Sequence, residues 1–155
     1  MFFPVMIDLE KFNIAIAGGG KIGLRKAKNL VENGAKITVI SREIHEDFDK
    51  LDKSAVKIIK KDIELQDFEE ADIIYAATDN RELNRRIAAY CLEKGKMVNC
   101  VDNHENSSFI NTGFFKEKIE DNDVVVAVSS MGKNPKNTKK LKEKIKELIE
   151  NSLEE

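Results

Sequence analysis

The 155-residue sequence predicts an α/β fold, a doubly wound parallel sheet followed by a small β-hairpin and a helix, and three observations predict it. Short apolar runs alternate with amphipathic stretches from residue 12 to residue 102, as expected of strands buried on both faces and joined by crossover helices. A glycine-rich turn, AGGGKIG at 17–23, stands between the first such run and the first amphipathic stretch. Beyond Asp102 the alternation stops, and two extended stretches are separated only by a polar turn, which needs no crossover helix.

In chain order, Val5, Ile7 and Leu9 alternate with other residues after Pro4 and suggest a short opening strand. FNIAIAG (12–18) is a compact apolar run ending in glycine, a buried strand. Leu24, Ala27, Leu30 and Val31 then follow helical spacing up to Gly34, which supplies a left-handed stop. AKITVIS (35–41) is the next strand, so strand, glycine turn, helix and strand make one βαβ unit. Ile44, Phe48 and Leu51 form a short helical stripe, AVKIIKKD (55–62) a third strand of the sheet, and ADIIYAAT (71–78) a fourth. Leu83, Ile87, Cys91 and Leu92 mark a helix capped by Asp79 or Asn80 and stopped at Gly95, and KMVNCVD (96–102) is the fifth strand. SSFINTGFFKEKI and DNDVVVAVSS are read as a hairpin turning around Glu120–Asp123. Pro135, suited to a first helical turn, opens a last helix whose apolar face is Leu141, Ile145, Leu148 and Ile149. The expected division is 1–112 for the sheet with its helices and 113–155 for the appended segment.

Composition narrows the class of function. The 41% hydrophobic fraction is enough for a packed core, so the 35% charged residues describe a solvated surface and not a disordered chain. A formal charge of -2 lends no support to nucleic-acid binding. MFFPVMIDL lacks a basic lead-in and is interrupted by Pro4 and Asp8, so it does not read as a signal peptide, and no run reaches a membrane span. Cys91 and Cys100 make no metal or disulfide pattern; buried thiols of a reducing cytosol are the expectation.

The turn at 17–23 carries the first functional signal. Gly18, Gly20 and Gly23, with Gly19 between, have the G-x-G-x-x-G spacing of a dinucleotide cradle. The first glycine allows the tight turn, the second lets the backbone approach a pyrophosphate, and the third lets helix and strand pack closely. The helix N-terminus then stabilises the phosphate charge. In this context the sheet is Rossmann-like. The acidic residue that often ends the second strand and holds the ribose is missing: Ser41 and Arg42 follow Ile40, with Glu43 one position on. Arg42 alone leans toward a 2′-phosphate and NADP, or stacks on adenine, or faces solvent. Ligands of such sheets gather at the carboxyl ends of the strands, which directs attention to AATDN (76–80) and VNCVDN (98–103). There Thr78 and Asp79 are expected near the nicotinamide side of a cofactor, and Asp102 is a carboxylate able to take a proton while a neighbouring carbon gives up hydride, or else a turn residue.

In order along the chain, FPVMIDL, GGGKIGLRKAKNLVENGAKITVI, AATDNRELN, VNCVDN, SSFI and VAVSSMGKNP resemble the siroheme synthase N-terminal family, the precorrin-2 dehydrogenases. The resemblance covers nearly the whole chain. It implies oxidation of precorrin-2 to sirohydrochlorin with NAD+ as hydride acceptor, by a cytoplasmic homodimer whose segment after the Rossmann domain serves dimerisation. It implies cofactor contacts at Lys21 and Ile22 and at Arg42 and Glu43, and an essential aspartate at Asp102. NAD+ is favoured over the lean toward NADP, because the family lacks the acidic strand ending yet uses NAD+. His104 and Thr112 stand where the family usually has proline.

Precorrin-2 carries many carboxylates, so Lys133, Lys136 and Arg85 are candidate contacts by placement, and Ser129 and Ser130 are either contacts or turn caps. An added ferrochelatase activity, with Asp102 and His104 guiding iron, is an alternative; two polar residues fall short of a resident metal site, and none is expected. A non-enzymatic nucleotide-sensing module is the reading from another class. It has no use for the segments from 98 to 135.

Overall fold

A computed structural model of the chain describes residues 2–119 and 121–153, which form two compact units, one spanning Phe3–Phe109 and one beginning at Ile110. In the first unit, β1 (Ile14–Gly19), β2 (Ile37–Ile44), β3 (Val56–Ile59), β4 (Ile73–Ala76) and β5 (Met97–Cys100) form a parallel sheet in the order β3-β2-β1-β4-β5. α1 (Lys21–Glu32) follows β1 and α2 (Arg81–Glu93) follows β4. The chain moves outward from β1 to β2 and β3 and then returns to β4 on the other side. The carboxyl ends of β1 and β4 therefore diverge, and that switch point is where sheets of this kind form a ligand crevice.

The continuous apolar runs have a simple cause. Ile14, Ile16, Ile37, Val39, Ile73 and Tyr75 pack with Leu24, Ala27 and Leu30 of α1. The residues between them, Ala15, Ala17, Ile40, Ile74, Ala76 and Val98, pack with Ile87, Ala88 and Cys91 of α2. β1 and β4, at the centre of the sheet, are buried on both sides, so neither of their faces reads as polar. Helix ends follow their sequence signals: Asn80 Oδ1 accepts from the Leu83 amide at 3.0 Å, and Gly34 and Gly95 adopt positive φ of 87° and 68°. In the second unit, β6 (Gly113–Ile119) and β7 (Asn122–Val128) form an antiparallel hairpin against which α3 (Pro135–Leu153) packs. Glu120, expected in the hairpin turn, lies outside the described residues, and Asp123 is already part of β7. Among the described residues no helix is long and apolar enough to cross a membrane.

Several boundaries differ from the sequence expectation. Val5, Ile7 and Leu9 form no strand; Val5 is 69% exposed, and a 3-10 turn at Leu9–Lys11 follows. Alternation of side chains does not by itself supply a neighbouring strand to bond with, and Pro4 has no N–H to offer. The stripe Ile44–Phe48–Leu51 is a 3-10 turn, Glu46–Lys50, with Phe48 buried. β2 runs on to Ile44, so Arg42 and Glu43 lie within the strand together with Ser41 and not after it. Its register with β1 shifts between Ala17 and Gly19, which lets Gly19 pair with Ile44 and accept the His45 amide at 2.8 Å. β5 stops at Cys100, leaving Asp102 two residues beyond it. Ser107 and Ser108, expected to be part of the hairpin, instead line the outer edge of β5. Their hydroxyls each accept a backbone amide, from Cys100 and Val98 respectively, at 2.8 Å.

Candidate functional site

The glycine turn is built by close approach. Gly18 has φ of +110°, and a Cβ there would stand 2.5 Å from the carbonyl oxygen of Ala77, the residue that follows β4. A Cβ on Gly19 would stand 2.6 Å from the Glu43 carbonyl oxygen, and one on Gly23 would overlap the Gly18 carbonyl oxygen. These three glycines are required by neighbours within the chain. Gly20 is different, because a Cβ there meets nothing within 4 Å. It is the N-cap of α1, and no side chain caps that helix. An uncapped helix start beside open space, with amides following from Lys21 onward, fits a phosphate-bearing cofactor. Lys21 and Ile22 lie in the first turn and are both exposed, Ile22 to 44% despite being apolar.

On the adenosine side indicated by the sequence, Ser41 is partly buried and Arg42 and Glu43 are exposed near the end of β2. The Arg42 guanidinium is not alone: its Nε is 3.1 Å from Asp62 Oδ1.

At the next two strand ends one residue organises the rest. Asn84 is fully buried, on the face of α2 that also carries Ile87, Ala88 and Cys91. Its Oδ1 accepts the Thr78 amide at 3.0 Å and lies 2.7 Å from the Thr78 hydroxyl. Its Nδ2 donates to the Thr78 carbonyl and to Asp102 Oδ2, each at 3.0 Å. The second oxygen of Asp102 accepts the Cys100 thiol at 3.1 Å. Burial pushes the Asp102 carboxyl upward, but the hydrogen bonds from Cys100 and Asn84, its own backbone amide and the charge of Arg81 together hold it below the usual carboxylate value. Burial and the adjacent carboxylate push the Cys100 thiol up to about 11, so it remains a donor at neutral pH. Asp102 is therefore an exposed, anchored anion with lone pairs left for a ligand.

Sequence reasoning named Thr78 and Asp102 but missed Asn84 and the thiol. The signal for Asn84 was present: it occupies the first position of the stripe 84, 87, 88, 91, where an apolar residue is the norm. Cys100 was read only as a small core residue. It is buried, yet it stands two residues before Asp102 with its sulfur on the carboxylate.

The other candidates are engaged locally. Arg85 is bonded to Glu82 through both Nε and Nη2, at 2.9 and 2.7 Å. Ser129 Oγ accepts the Met131 amide, and Ser130 Oγ bonds Asn134 and Thr138, the capping arrangement of a turn in which Met131 takes φ of 56°. Lys133 and Lys136 are exposed, and so is His104. Among the described residues no group of three or more His, Cys, Asp or Glu is placed to hold a metal ion.

Comparison with known proteins agrees with this geometry. Residues 5–113 match a protein family described as "Putative NAD(P)-binding". Over 95% of its length the chain is 35% identical to precorrin-2 dehydrogenase of Bacillus subtilis (strain 168), of which it covers 88%. It is 30% identical to the siroheme synthase of Actinobacillus pleuropneumoniae serotype 3 (strain JL03), matching 96% of this chain but only 30% of that longer protein. Among solved structures it superimposes on SirC, a precorrin-2 dehydrogenase, with a TM-score of 0.77 and 23% identity over 93% of this chain and 69% of that one. At that identity the superposition speaks for the fold, which is the Rossmann-like sheet with a hairpin and a terminal helix.

Proposed function

The chain belongs to the family of precorrin-2 dehydrogenases and siroheme synthase N-terminal regions, and on that premise we propose that it oxidises precorrin-2 to sirohydrochlorin with NAD+. The observation that carries the reading is the anchored Asp102 carboxylate, tied through Asn84 to the strand end that also abuts Gly18 of the nucleotide turn. In this reading Gly18, Gly19, Gly20 and Gly23, with the first amides of α1 at Lys21 and Ile22, hold the pyrophosphate, and Ser41, Arg42 and Glu43 meet the adenosine end. Thr78 lies on the nicotinamide side, and NAD+ when bound supplies the hydride acceptor.

The reaction removes a hydride and a proton from the tetrapyrrole. Loss of hydride leaves positive charge on the substrate. A carboxylate ionised well below neutral pH stabilises that charge and lies where the released proton passes. A depressed pKa makes Asp102 a weak base, so charge stabilisation is the larger part of its role.

The expected division of labour gives nucleotide binding to 1–112 and dimerisation with substrate contact to 113–155. The reading is of a cytoplasmic homodimer that engages neither nucleic acid nor membrane. Near-neutral charge, two buried free thiols and the exposed apolar residues of α3 support it. Iron insertion stays outside the proposal.

The test mixes purified protein, precorrin-2 and NAD+ or NADP+ and follows reduced cofactor by absorbance. Asp102→Asn is expected to bind NAD+ as the parent does while turnover falls by about 10²-fold or more. Full activity in that variant removes Asp102 from the chemistry, and no turnover by the parent protein removes the proposed reaction.

A further inference from the structure

The geometry points to Asn84 as the positioning residue of this site: a single buried carboxamide holds the Asp102 carboxylate against the loop after β4, so that the ends of β4 and β5 act as one rigid piece. The inference rests on the proposed role of Asp102, but its structural content stands on the hydrogen bonds alone.

Asn84 uses its whole polar inventory. The oxygen takes the Thr78 backbone N–H, and the nitrogen gives one bond to the Thr78 carbonyl and one to Asp102 Oδ2. These partners fix which end of the amide points where. A backbone N–H only donates, and a carbonyl oxygen and an ionised carboxylate only accept, so the reversed amide would lose three bonds and bury three like-with-like contacts in their place. With the side chain wholly inaccessible to solvent, water cannot repair such a loss. Isolated strand ends drift with their loops. Here the loop at Thr78 and the carboxylate at 102 are fastened to the same atom group, which is in turn fixed to the buried face of α2.

The second anchor, the Cys100 thiol on Oδ1, prevents rotation of the carboxylate about its own axis. The titratable neighbours are Arg81 at the start of α2 and, following Asp102 in the chain, His104 and Glu105 in a 3-10 turn that packs on β5. None of them bonds Asp102, so the neutral donors Asn84 and Cys100 set its position. An Asn at this place is chemically apt: Asp would repel the carboxylate, and an apolar residue would leave the Thr78 amide unpaired.

The experiment combines NMR with kinetics. In the parent protein the side-chain amide protons of Asn84 are expected to shift with pH at the same midpoint as the Asp102 carboxyl carbon, and Asp102→Asn abolishes that shift. In Asn84→Ala the Asp102 midpoint moves up toward the ordinary carboxylate value, and the acid limb of the kcat/KM profile moves with it. kcat falls by about 10²-fold, as expected for a misplaced group, while KM for NAD+ changes far less. Cys100→Ser, which keeps a donor, retains more activity than Cys100→Ala. An Asn84 amide that ignores the titration of Asp102 in the parent protein overturns the inference without any variant having to fold. A folded Asn84→Ala with unmoved midpoint and unmoved acid limb overturns it as well. If the parent protein fails to oxidise precorrin-2, the proposed reaction is lost, but the NMR midpoints still decide whether Asn84 holds Asp102.

Discussion

Arg42 in the last part of β2 and Asp62 beyond β3 meet in an ion pair, Nε to Oδ1 at 3.1 Å, with side chains 77% and 80% exposed. Such a pair contributes little to stability, about 0–1 kcal/mol. Its consequence is for recognition. An arginine at the end of the second strand invites a 2′-phosphate, but this one arrives with a carboxylate already beside it, which offsets its charge and would itself repel a phosphate. Asp62→Ala is therefore expected to leave stability within about 0.5 kcal/mol and to tighten NADP+ binding by roughly twofold to fivefold. NAD+ binding should hardly change. Titrating both nucleotides into both proteins measures the ratio, and an unaltered ratio shows that Arg42 does not reach that end of the cofactor.

The glycine turn allows a paired test of binding against folding. Gly23→Ala sets a methyl group onto the Gly18 carbonyl oxygen, a backbone atom that cannot move without breaking the turn. The cost expected is about 1–3 kcal/mol, seen as a lower Tm whether or not nucleotide is present. Gly20→Ala adds the same methyl into open space at φ of -79°, an ordinary angle for alanine. Its Tm should stay within a few degrees of the parent, since a helix cap change of this kind costs about 1 kcal/mol or less. Nucleotide affinity, in contrast, should drop at least roughly tenfold, because the methyl occupies the volume the cofactor approaches. Equal affinity in Gly20→Ala and parent would place the phosphates elsewhere.

How much of this was legible in the sequence depended on the range of the interaction. β1 and β4 were readable because burial on both faces leaves a run such as IIYA with no charged residue, and Gly34 and Gly95 mark helix ends through local backbone geometry. The opening segment failed for the opposite reason: Val5, Ile7 and Leu9 alternate properly, yet a strand exists only if another backbone lies beside it. The extension of β2 to Ile44 depended on the register shift at Gly19, a property of two strands together. In the site, the glycines from Gly18 to Gly23 stood out by their spacing at the junction of β1 and α1, and Thr78 and Asp102 as loop residues beyond the carboxyl ends of β4 and β5. Asn84 and Cys100 reach Asp102 from a helix and a strand end 18 and 2 residues away, and their geometry appears only once the sheet is assembled.

Lys26 gives a pH signature. It is largely buried on α1, with Nζ 5.2 Å from the centre of the Tyr75 ring, and burial, aided by the charge of Arg25, lowers its pKa from 10.5 to about 8. Between those values the unfolded chain holds more protons than the native one, so stability rises with pH through that window. At neutral pH the buried charge costs at most about 3 kcal/mol, less whatever the aromatic face returns. Lys26→Met is expected to be more stable than the parent at pH 7 and to lose the rise between pH 8 and 10. Denaturant midpoints at several pH values measure both, and parallel curves for the two proteins would show that Lys26 titrates normally.

The apolar face of α3 is the remaining structural question. Leu141 and Leu148 are two turns apart on that helix and remain 51% and 65% exposed, although α3 already packs on β6 and β7. Each leucine stabilises an interface by about 1.5–3 kcal/mol when fully covered. If a second copy of the chain covers them, Leu148→Glu should weaken self-association by tenfold or more. Because the side chain is exposed in the single chain, the same change should leave the monomer's own stability within about 0.5 kcal/mol. Sedimentation equilibrium of parent and variant supplies both association constants. A dimer indifferent to glutamate at 148 places its interface away from this face, and a parent chain that sediments as a monomer removes the dimer altogether.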